Sequence, residues 1–272
     1  MAATPPRSDR SARRVRRTRV RAAIAAGVVA ALAVGGIAGW ALLRDDARAA
    51  PKKRAVAPST TTTTTAPKPV AAVTATQKVP ELTAYQDAVE TSAAVTKLSA
   101  KTEYGLPRTF LVTDQSSHPG WLNVLLPVRP NGASGWIKAS DVTLGQSDYE
   151  IRIELGAHKL TLLKLGQPVL DSGVVIGADK TPTPVGKFFV TDPLDLHSQP
   201  NAGYGVFALG ISGFSDVLTS FKGGPGQLAV HGTSNPGQVG QNISNGCVRV
   251  PNDIIEQIAA QAPLGTPVTI LA

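Results

Sequence analysis

The chain has 272 residues, enough for one or two ordinary domains, and a formal net charge of +8. The first 44 residues hold nine Arg against Asp9 alone, whereas residues 45–272 balance 18 basic with 18 acidic side chains. Residues 147–272 carry seven basic and ten acidic side chains, so they lack the basic face that phosphate binding requires, and nucleic acid is excluded as a partner.

The N-terminal region is predicted to anchor the protein. Residues 1–21 form a basic cytoplasmic tail, and residues 22–43 are 22 uncharged residues, which at ~1.5 Å each cross the ~30 Å hydrocarbon core of a bilayer. The Arg run before this transmembrane segment favours a cytoplasmic N-terminus and an extracytoplasmic body at the cell wall. A cleaved signal peptide is the alternative, because Ala47-Arg48-Ala49 resembles a cleavage site.

A linker and a small β module are predicted next. Residues 44–80 are rich in Pro, Thr and Ala without apolar periodicity, which is typical of a disordered linker. Residues 81–145 hold short apolar runs separated by Pro and Gly, which indicates short strands. The stretch WLNVLLPVRPNGASGWIKASDV resembles bacterial SH3-like domains, which implies a small barrel used as a spacer or binding domain. Trp121 and Trp136 are expected in its core rather than in a ligand groove.

Residues 147–272 are predicted to be mainly β with one short helix. Apolar and polar side chains alternate from residue 149 to residue 155, as in a strand with one buried face. Residues 253–259 have helical spacing, follow Pro251 and end before Pro263. A last strand is predicted at residues 267–271.

Cys247 is the only cysteine, which excludes an intrachain disulfide and a metal site built on paired cysteines, and we expect neither metal nor cofactor. His231 follows an apolar strand and precedes Cys247 by a Gly-, Asn- and Ser-rich loop that can fold back. A thiol of pKa ≈ 8.5 needs a base to become a nucleophile at neutral pH, and an imidazole supplies one. The sequence therefore predicts a cysteine acyltransferase with Cys247 as nucleophile and His231 as general acid and base.

Two neighbours of this pair, Gly246 and Gly232, are assigned to supporting roles. Gly246 leaves room for a carbonyl to approach, and the amides of Gly246 and Cys247 are candidates for an oxyanion hole worth ~3–4 kcal/mol. The motif lacks Asp and Glu, so a backbone carbonyl, that of Gly232, is expected to orient His231.

The motifs His231-Gly232-Thr233 and Ser244-Asn245-Gly246-Cys247-Val248-Arg249, with the Thr-Pro-rich turn at residues 180–188, resemble the L,D-transpeptidase (YkuD-type) catalytic domain. The resemblance covers residues 147–272 and implies a β-sandwich-type fold. It implies that Cys247 attacks the L,D bond before the terminal D-Ala of a peptidoglycan stem tetrapeptide and forms a thioester, which a side-chain amine of a neighbouring stem then resolves. It also implies that penem-type β-lactams acylate Cys247.

Four residues are candidates for substrate binding: Ser244, Asn245, Arg249 and Tyr204. Loop packing is the alternative for Ser244, a structural ion pair for Arg249, and simple packing for Tyr204. Many family members carry His where this chain has Asn245, so His231 is the only imidazole in the motif.

The predicted function is that of a membrane-anchored, monomeric peptidoglycan L,D-transpeptidase whose partners are stem peptides. One alternative is an L,D-carboxypeptidase that hydrolyses the same acyl-enzyme. The other is a catalytically silent wall-binding protein, which the intact His231 and Cys247 pair disfavours.

Overall fold

The computed structural model describes residues 71–198 and 203–272. The predicted basic tail, the predicted membrane span at residues 22–43 and most of the predicted linker lie outside these residues. Within the part of the chain that is described, no helix is long and apolar enough to cross a bilayer. The linker prediction is wrong at its C-terminal end, because Ala72–Gln77 forms a strand whose Ala75 side chain is fully buried.

The first module is a seven-stranded antiparallel sheet with the strand order β3-β2-β6-β5-β4-β1-β7. Strand β1 lies between β4 and β7, so the module spans residues 72–147 rather than the predicted 81–145. Its strands are β1 (Ala72–Gln77), β2 (Glu81–Tyr85), β3 (Ala94–Ser99), β4 (Thr109–Asp114), β5 (Trp121–Leu125), β6 (Ser134–Lys138) and β7 (Val142–Ser147).

The two tryptophans of this module do not lie in its core, contrary to the prediction. They are half-buried, while Leu122 and Ile137, their neighbours in sequence, point to the opposite face and are buried. Trp121 packs edge-on against Tyr85, and Trp136 packs edge-on against His118. The alternation of a β-strand explains the outcome, because residues i and i+1 face opposite sides of a sheet.

The second module is mainly β with one helix, as predicted. An eight-stranded sheet has the order β10-β9-β8-β17-β12-β13-β14-β16, and β11 pairs with β15 alone. The elements are β8 (Tyr149–Glu154), β9 (Lys159–Lys164), β10 (Gln167–Gly173), β11 (Ile176–Gly177), β12 (Gly186–Asp195), β13 (Phe207–Phe214), β14 (Gln227–Thr233), β15 (Asn242–Ser244), β16 (Val248–Pro251), α1 (Asn252–Ala259) and β17 (Pro267–Leu271).

Strand β12 connects the hydrophobic cores of the two modules. Phe188 belongs to the core of the second module, whereas Phe189 is fully buried in the core of the first. Consecutive residues of a strand point to opposite faces, so one strand supplies both cores. The first module is therefore packed against the second.

Polar contacts reinforce this junction. Arg129 donates hydrogen bonds to the carbonyls of Ser215 and Pro225, at 2.8 and 3.0 Å. The Asn131 side chain donates to the Phe214 carbonyl at 2.7 Å and accepts from the Phe214 amide at 2.8 Å. These contacts hold the segment between β13 and β14 against the first module.

Helix α1 follows β16 directly and packs against β13, β14 and β16. Pro251 occupies its N-cap position, and Asp253 places a negative charge in its first turn, where the helix dipole favours it. Ile255 and Ile258 are fully buried on its inner face. The helix therefore supports the edge of the sheet where β14 and β16 run side by side.

Candidate active site

The parallel pairing of β14 and β16 brings His231 and Cys247 together. His231 is paired with Arg249, so Cys247, two residues earlier, lies beside Ala229 of β14. His231 and Cys247 line one cavity of about 130 Å³. The loop between His231 and Cys247 folds back, as predicted.

His231 is buried, with 2% of its surface exposed, and its Nδ1 lies 2.8 Å from the carbonyl oxygen of Gly232. A carbonyl oxygen only accepts hydrogen bonds, so Nδ1 carries the proton and Nε2 carries the lone pair of the neutral ring. This hydrogen bond is the contact predicted for the Gly232 carbonyl. It fixes the tautomer that a general base requires.

A close approach of three residues keeps the Gly232 carbonyl in place. Gly205 has φ +65°, and a Cβ atom there would lie 2.5 Å from the carbonyl carbon of Gly232. A Cβ atom on Gly232 would lie 2.3 Å from the Asn252 side-chain oxygen. Glycine at both positions thus allows the strand, the preceding segment and α1 to meet behind His231.

The pKa of His231 is lowered to about 4, mainly because the buried imidazolium loses its hydration and also because of the positive charges of Arg249 and Lys222. Hydrogen bonds with the backbone of Gly232 and Tyr204 act in the opposite direction, since they stabilise the charged ring. The ring is therefore neutral at physiological pH and available as a base.

We expect the acylation of Cys247 by a penem to keep its rate constant as the pH falls from 7 to 5. With a pKa of about 4 the imidazole is still ~90% neutral at pH 5, whereas an unperturbed imidazole of pKa ≈ 6.5 would be ~3% neutral. Stopped-flow acylation measured from pH 3.5 to 8, with thermal melting at each pH to verify folding, gives the acid limb. A limb centred near pH 6.5 would contradict the lowered pKa.

The Cys247 side chain is half-buried, and desolvation raises the pKa of its thiol. A backbone hydrogen bond at Ala229 and the charge of Arg249 oppose this shift by favouring the thiolate. With a raised thiol pKa and a lowered imidazole pKa, the resting pair is neutral thiol and neutral imidazole. Such a pair can pass the thiol proton to the imidazole in concert with an attack by the sulfur.

The loop that carries Cys247 is held from behind by the Thr-Pro-rich turn. Gly246 has φ +111°, a conformation that glycine adopts readily. The Thr183 hydroxyl donates to the Gly246 carbonyl at 2.8 Å and accepts from the Gly177 amide at 2.9 Å. The Thr181 hydroxyl donates to the Ser244 carbonyl at 3.0 Å. Two hydroxyls thus fix the residues immediately before the nucleophile.

We expect Thr183→Val to slow acylation of Cys247 about tenfold and to destabilise the fold by about 1–3 kcal/mol. The substitution keeps the shape of the side chain but leaves the buried Gly177 amide and Gly246 carbonyl without their partner. Acylation kinetics and thermal melting measure the two effects. Thr183→Ser restores the hydroxyl, so acylation rates equal in the Val and Ser variants would exclude a positioning role for this hydroxyl.

Ser244 is buried and serves the loop itself. Its hydroxyl donates to the Cys247 carbonyl at 2.6 Å and accepts from the Gly246 amide at 3.1 Å. This geometry favours the loop-packing interpretation of Ser244 over substrate contact. The Ser244 hydroxyl also occupies the Gly246 amide, one of the two donors assigned to the oxyanion hole.

The other three predicted binding residues line the cavity of Cys247 and His231. Arg249 forms none of the ion pairs found within the described ranges, and its buried Nε has no hydrogen-bond partner there. The Tyr204 ring lies 4.9 Å from the His231 ring, centroid to centroid. Asn245 is exposed at the rim.

A second cavity, of about 330 Å³, also reaches Cys247 and was not predicted from the sequence. Tyr204 and Lys222 line both cavities, and the Lys222 ammonium lies 5.1 Å from the centre of the Tyr204 ring. Tyr104 of the first module forms part of its wall. The sequence carries no signal for Tyr104, because only the packing of the two modules brings it to the site.

Residues 148–270 match the family model described as the L,D-transpeptidase catalytic domain, YkuD. The YkuD protein of Bacillus subtilis is 29% identical over 122 residues, and that of Bacillus licheniformis is 29% identical over 124 residues. Each match covers 45% of this chain and 65% of the relative. The match of the second module to this family model supports the predicted enzyme class.

Solved structures of L,D-transpeptidases also align with the chain. One from Mycobacterium tuberculosis is 15% identical, with a TM-score of 0.40, and the alignment covers 61% of this chain and 90% of that one. A Cys-to-Ser variant of the Enterococcus faecium enzyme is 20% identical, with a TM-score of 0.36, covering 46% and 50%.

Proposed function

We propose that this chain is a peptidoglycan L,D-transpeptidase in which Cys247 is the nucleophile and His231 the general acid and base. The donor is a stem tetrapeptide, and the bond that breaks is the L,D bond before its terminal D-Ala. The proposal is supported by the neutral thiol and imidazole in one cavity and by the Gly232 carbonyl that fixes the tautomer of His231.

In the first half-reaction Sγ of Cys247 bonds to the donor carbonyl carbon while Nε2 of His231 takes the thiol proton. The tetrahedral oxyanion accepts a hydrogen bond from the Cys247 amide; the Gly246 amide contributes once Ser244 releases it. The C–N bond then breaks, His231 returns the proton to the leaving nitrogen, and D-Ala departs from a thioester.

In the second half-reaction an amine of a neighbouring stem attacks the thioester. His231 takes a proton from the attacking nitrogen and, as the C–S bond breaks, returns it to the sulfur, which restores the neutral thiol and releases the cross-linked product. Arg249, with no carboxylate partner among the described residues, is placed to bind a substrate carboxylate, and Lys222 offers a second positive charge at the mouth of both cavities.

The observation that carries the proposal is that two cavities open onto one thiol. Cys247 and the side chains of Tyr204 and Lys222 line both the 130 Å³ and the 330 Å³ cavity. A transferase must hold a donor and an acceptor on either side of its nucleophile, whereas a hydrolase needs only one peptide and water. This arrangement favours transfer over hydrolysis.

The test is to incubate the full chain, purified in detergent, with tetrapeptide muropeptides and to identify the products by mass. Cross-linked dimers with release of D-Ala are the expected products. Tripeptide with no dimer would point to the L,D-carboxypeptidase instead. No conversion, in a preparation whose Cys247 reacts with a thiol reagent, would favour the silent wall-binding protein.

We also propose that residues 22–43 anchor the protein in the cell membrane, with a cytoplasmic N-terminus and a catalytic module that faces the cell wall. The support is the uncharged run of 22 residues behind the Arg-rich tail. A reporter that functions only outside the cytoplasm, fused after Ala272, is expected to be active. A fusion that functions only in the cytoplasm would overturn this topology.

The first module is proposed to be SH3-like and to act within a monomeric enzyme. Light scattering of the detergent-purified protein is expected to give one copy per particle, and a dimer would contradict it.

A further inference from the structure

A buried carboxylate outside the catalytic pair has one oxygen without a hydrogen-bond partner among the described residues. Asp192, on β12, is 2% exposed; its Oδ2 accepts a hydrogen bond from Gln227 at 3.3 Å, whereas its buried Oδ1 has no partner within the described ranges. The same holds for the buried hydroxyl of Thr102, in the first module. Both residues line one cavity of about 200 Å³ between the two modules. We call it the junction cavity.

The junction cavity adjoins the active site. Tyr104 and Gln227 line both the junction cavity and the 330 Å³ cavity that reaches Cys247. In the sheet, Asp192 pairs with Gly210, which pairs with Ala229 beside Cys247. Neighbouring strands are ~4.8 Å apart, so the main chains of Asp192 and Ala229 are roughly 10 Å apart.

Gly210 keeps the path between Asp192 and Ala229 open. A Cβ atom at Gly210 would lie 3.1 Å from the Asp192 Cβ and 3.3 Å from its Oδ2. Directly paired residues of antiparallel strands point to the same face, so any larger side chain there would stand between Asp192 and the Cys247 side of the sheet.

The charges of the junction cavity favour a cation. Asp192 and the exposed Glu103 provide two carboxylates against the one guanidinium of Arg108. That guanidinium already donates to the carbonyls of Ser99 and Lys101, at 2.7 and 2.9 Å. A buried carboxylate oxygen without a donor is unfavourable, and a primary ammonium brings both a positive charge and three donors.

We propose that the junction cavity is a subsite for a protonated primary amine of a peptide whose reacting carbonyl lies at Cys247. The Asp192 carboxylate and the Thr102 hydroxyl accept its hydrogen bonds, and the ring of Tyr104 covers it. The proposal rests on the proposed function. The main chains of Asp192 and Cys247 lie three strand spacings apart, roughly 14 Å, and the two side chains together with an extended diamino-acid side chain span this distance. The amine belongs to the donor stem, because the acceptor amine must reach the thioester unprotonated.

The test uses the full chain and two stem tetrapeptides, one with a free side-chain amine and one with that amine acetylated. We expect Asp192→Asn to raise KM about tenfold for the free amine and to leave KM for the acetylated peptide unchanged. Thr102→Val should shift KM in the same direction by less. Both peptides are compared as donors by the release of D-Ala, with a saturating stem tripeptide, which has no D-Ala to release, as the acceptor.

Asp171→Asn is the matched control, because it removes an exposed carboxylate from β10 at the far edge of the sheet. It should leave both KM values unchanged. Equal KM changes for the free and acetylated peptides, or none for either peptide, would overturn the subsite while leaving the proposed function intact. If Asp192→Asn does not fold, as judged by melting and penem acylation, the KM values of Thr102→Val test the subsite by the same criteria. A wild-type chain without D-Ala release would overturn both proposals.

Discussion

Cys247→Ala is expected to abolish both half-reactions and to lower D-Ala release by about 10³-fold or more, to the level of the uncatalysed reaction. No other residue of the chain can take its place, because Cys247 is the only thiol. Incubation with a penem followed by intact-mass analysis should show one adduct per wild-type chain and none on the variant.

The fold should tolerate this substitution. Cys247 is half-buried and contacts the edge of the hydrophobic core, so removing its sulfur costs little stability, and the melting temperature should stay within a few degrees. Wild-type protein alkylated at its single thiol is the chemical control and should match the variant. D-Ala release that survives in either preparation would remove Cys247 from the mechanism.

Cys247→Ser tests the nucleophilicity of the side chain while keeping its shape nearly unchanged. A hydroxyl keeps the geometry but is far less acidic than a thiol, and His231, with its pKa of about 4, is a weak base toward it. We therefore expect the Ser variant to be nearly as inactive as the Ala variant. A Ser variant with substantial turnover would mean that His231 is more basic than its burial implies.

The proximity of His231 and Cys247 could be predicted from the sequence because each residue lies in a short motif. The strand before His231 and the turn before Cys247 are local patterns, and the parallel pairing of β14 with β16 places their ends together. The helix at residues 253–259 was also predicted, because Pro251 and Pro263 mark its limits. Short motifs of this kind can be recognised in the sequence without knowledge of the tertiary contacts.

The residues that were missed depend on contacts distant in sequence. Asp192 lies between Thr191 and Pro193 in the sequence, where nothing predicts a buried side chain, and its burial arises from the packing of the first module on β12. Strand β1 was assigned to the linker because its Thr- and Ala-rich composition continues that of the preceding residues, whereas its strand conformation depends on pairing with β4 and β7. No window of sequence contains these partners.

The tryptophans show a different limit. A large aromatic residue in a strand is usually buried, yet Trp121 and Trp136 share the face opposite the core. Their register is set by their neighbours Leu122 and Ile137, which are buried completely. Because a one-residue shift moves a side chain to the other face, residue size alone could not decide the orientation.

His231→Gln is expected to slow penem acylation about 10²–10⁴-fold at pH 7, the usual contribution of a positioned general base. The amide has a similar size and can still donate a hydrogen bond to the Gly232 carbonyl, so the cavity should keep its shape. Without an internal base only the thiolate reacts, and its population at neutral pH is small because burial raises the pKa of Cys247. The acylation rate of the variant should therefore increase about tenfold per pH unit from pH 6 to pH 8, whereas that of the wild type stays constant over this range.

His118→Gln, which changes a histidine of the first module packed on Trp136, is the matched control and should acylate like the wild type. A His231→Gln variant with the flat pH profile of the wild type would show that another group accepts the thiol proton, and Tyr204, whose ring lies 4.9 Å from that of His231, would be the first residue to test.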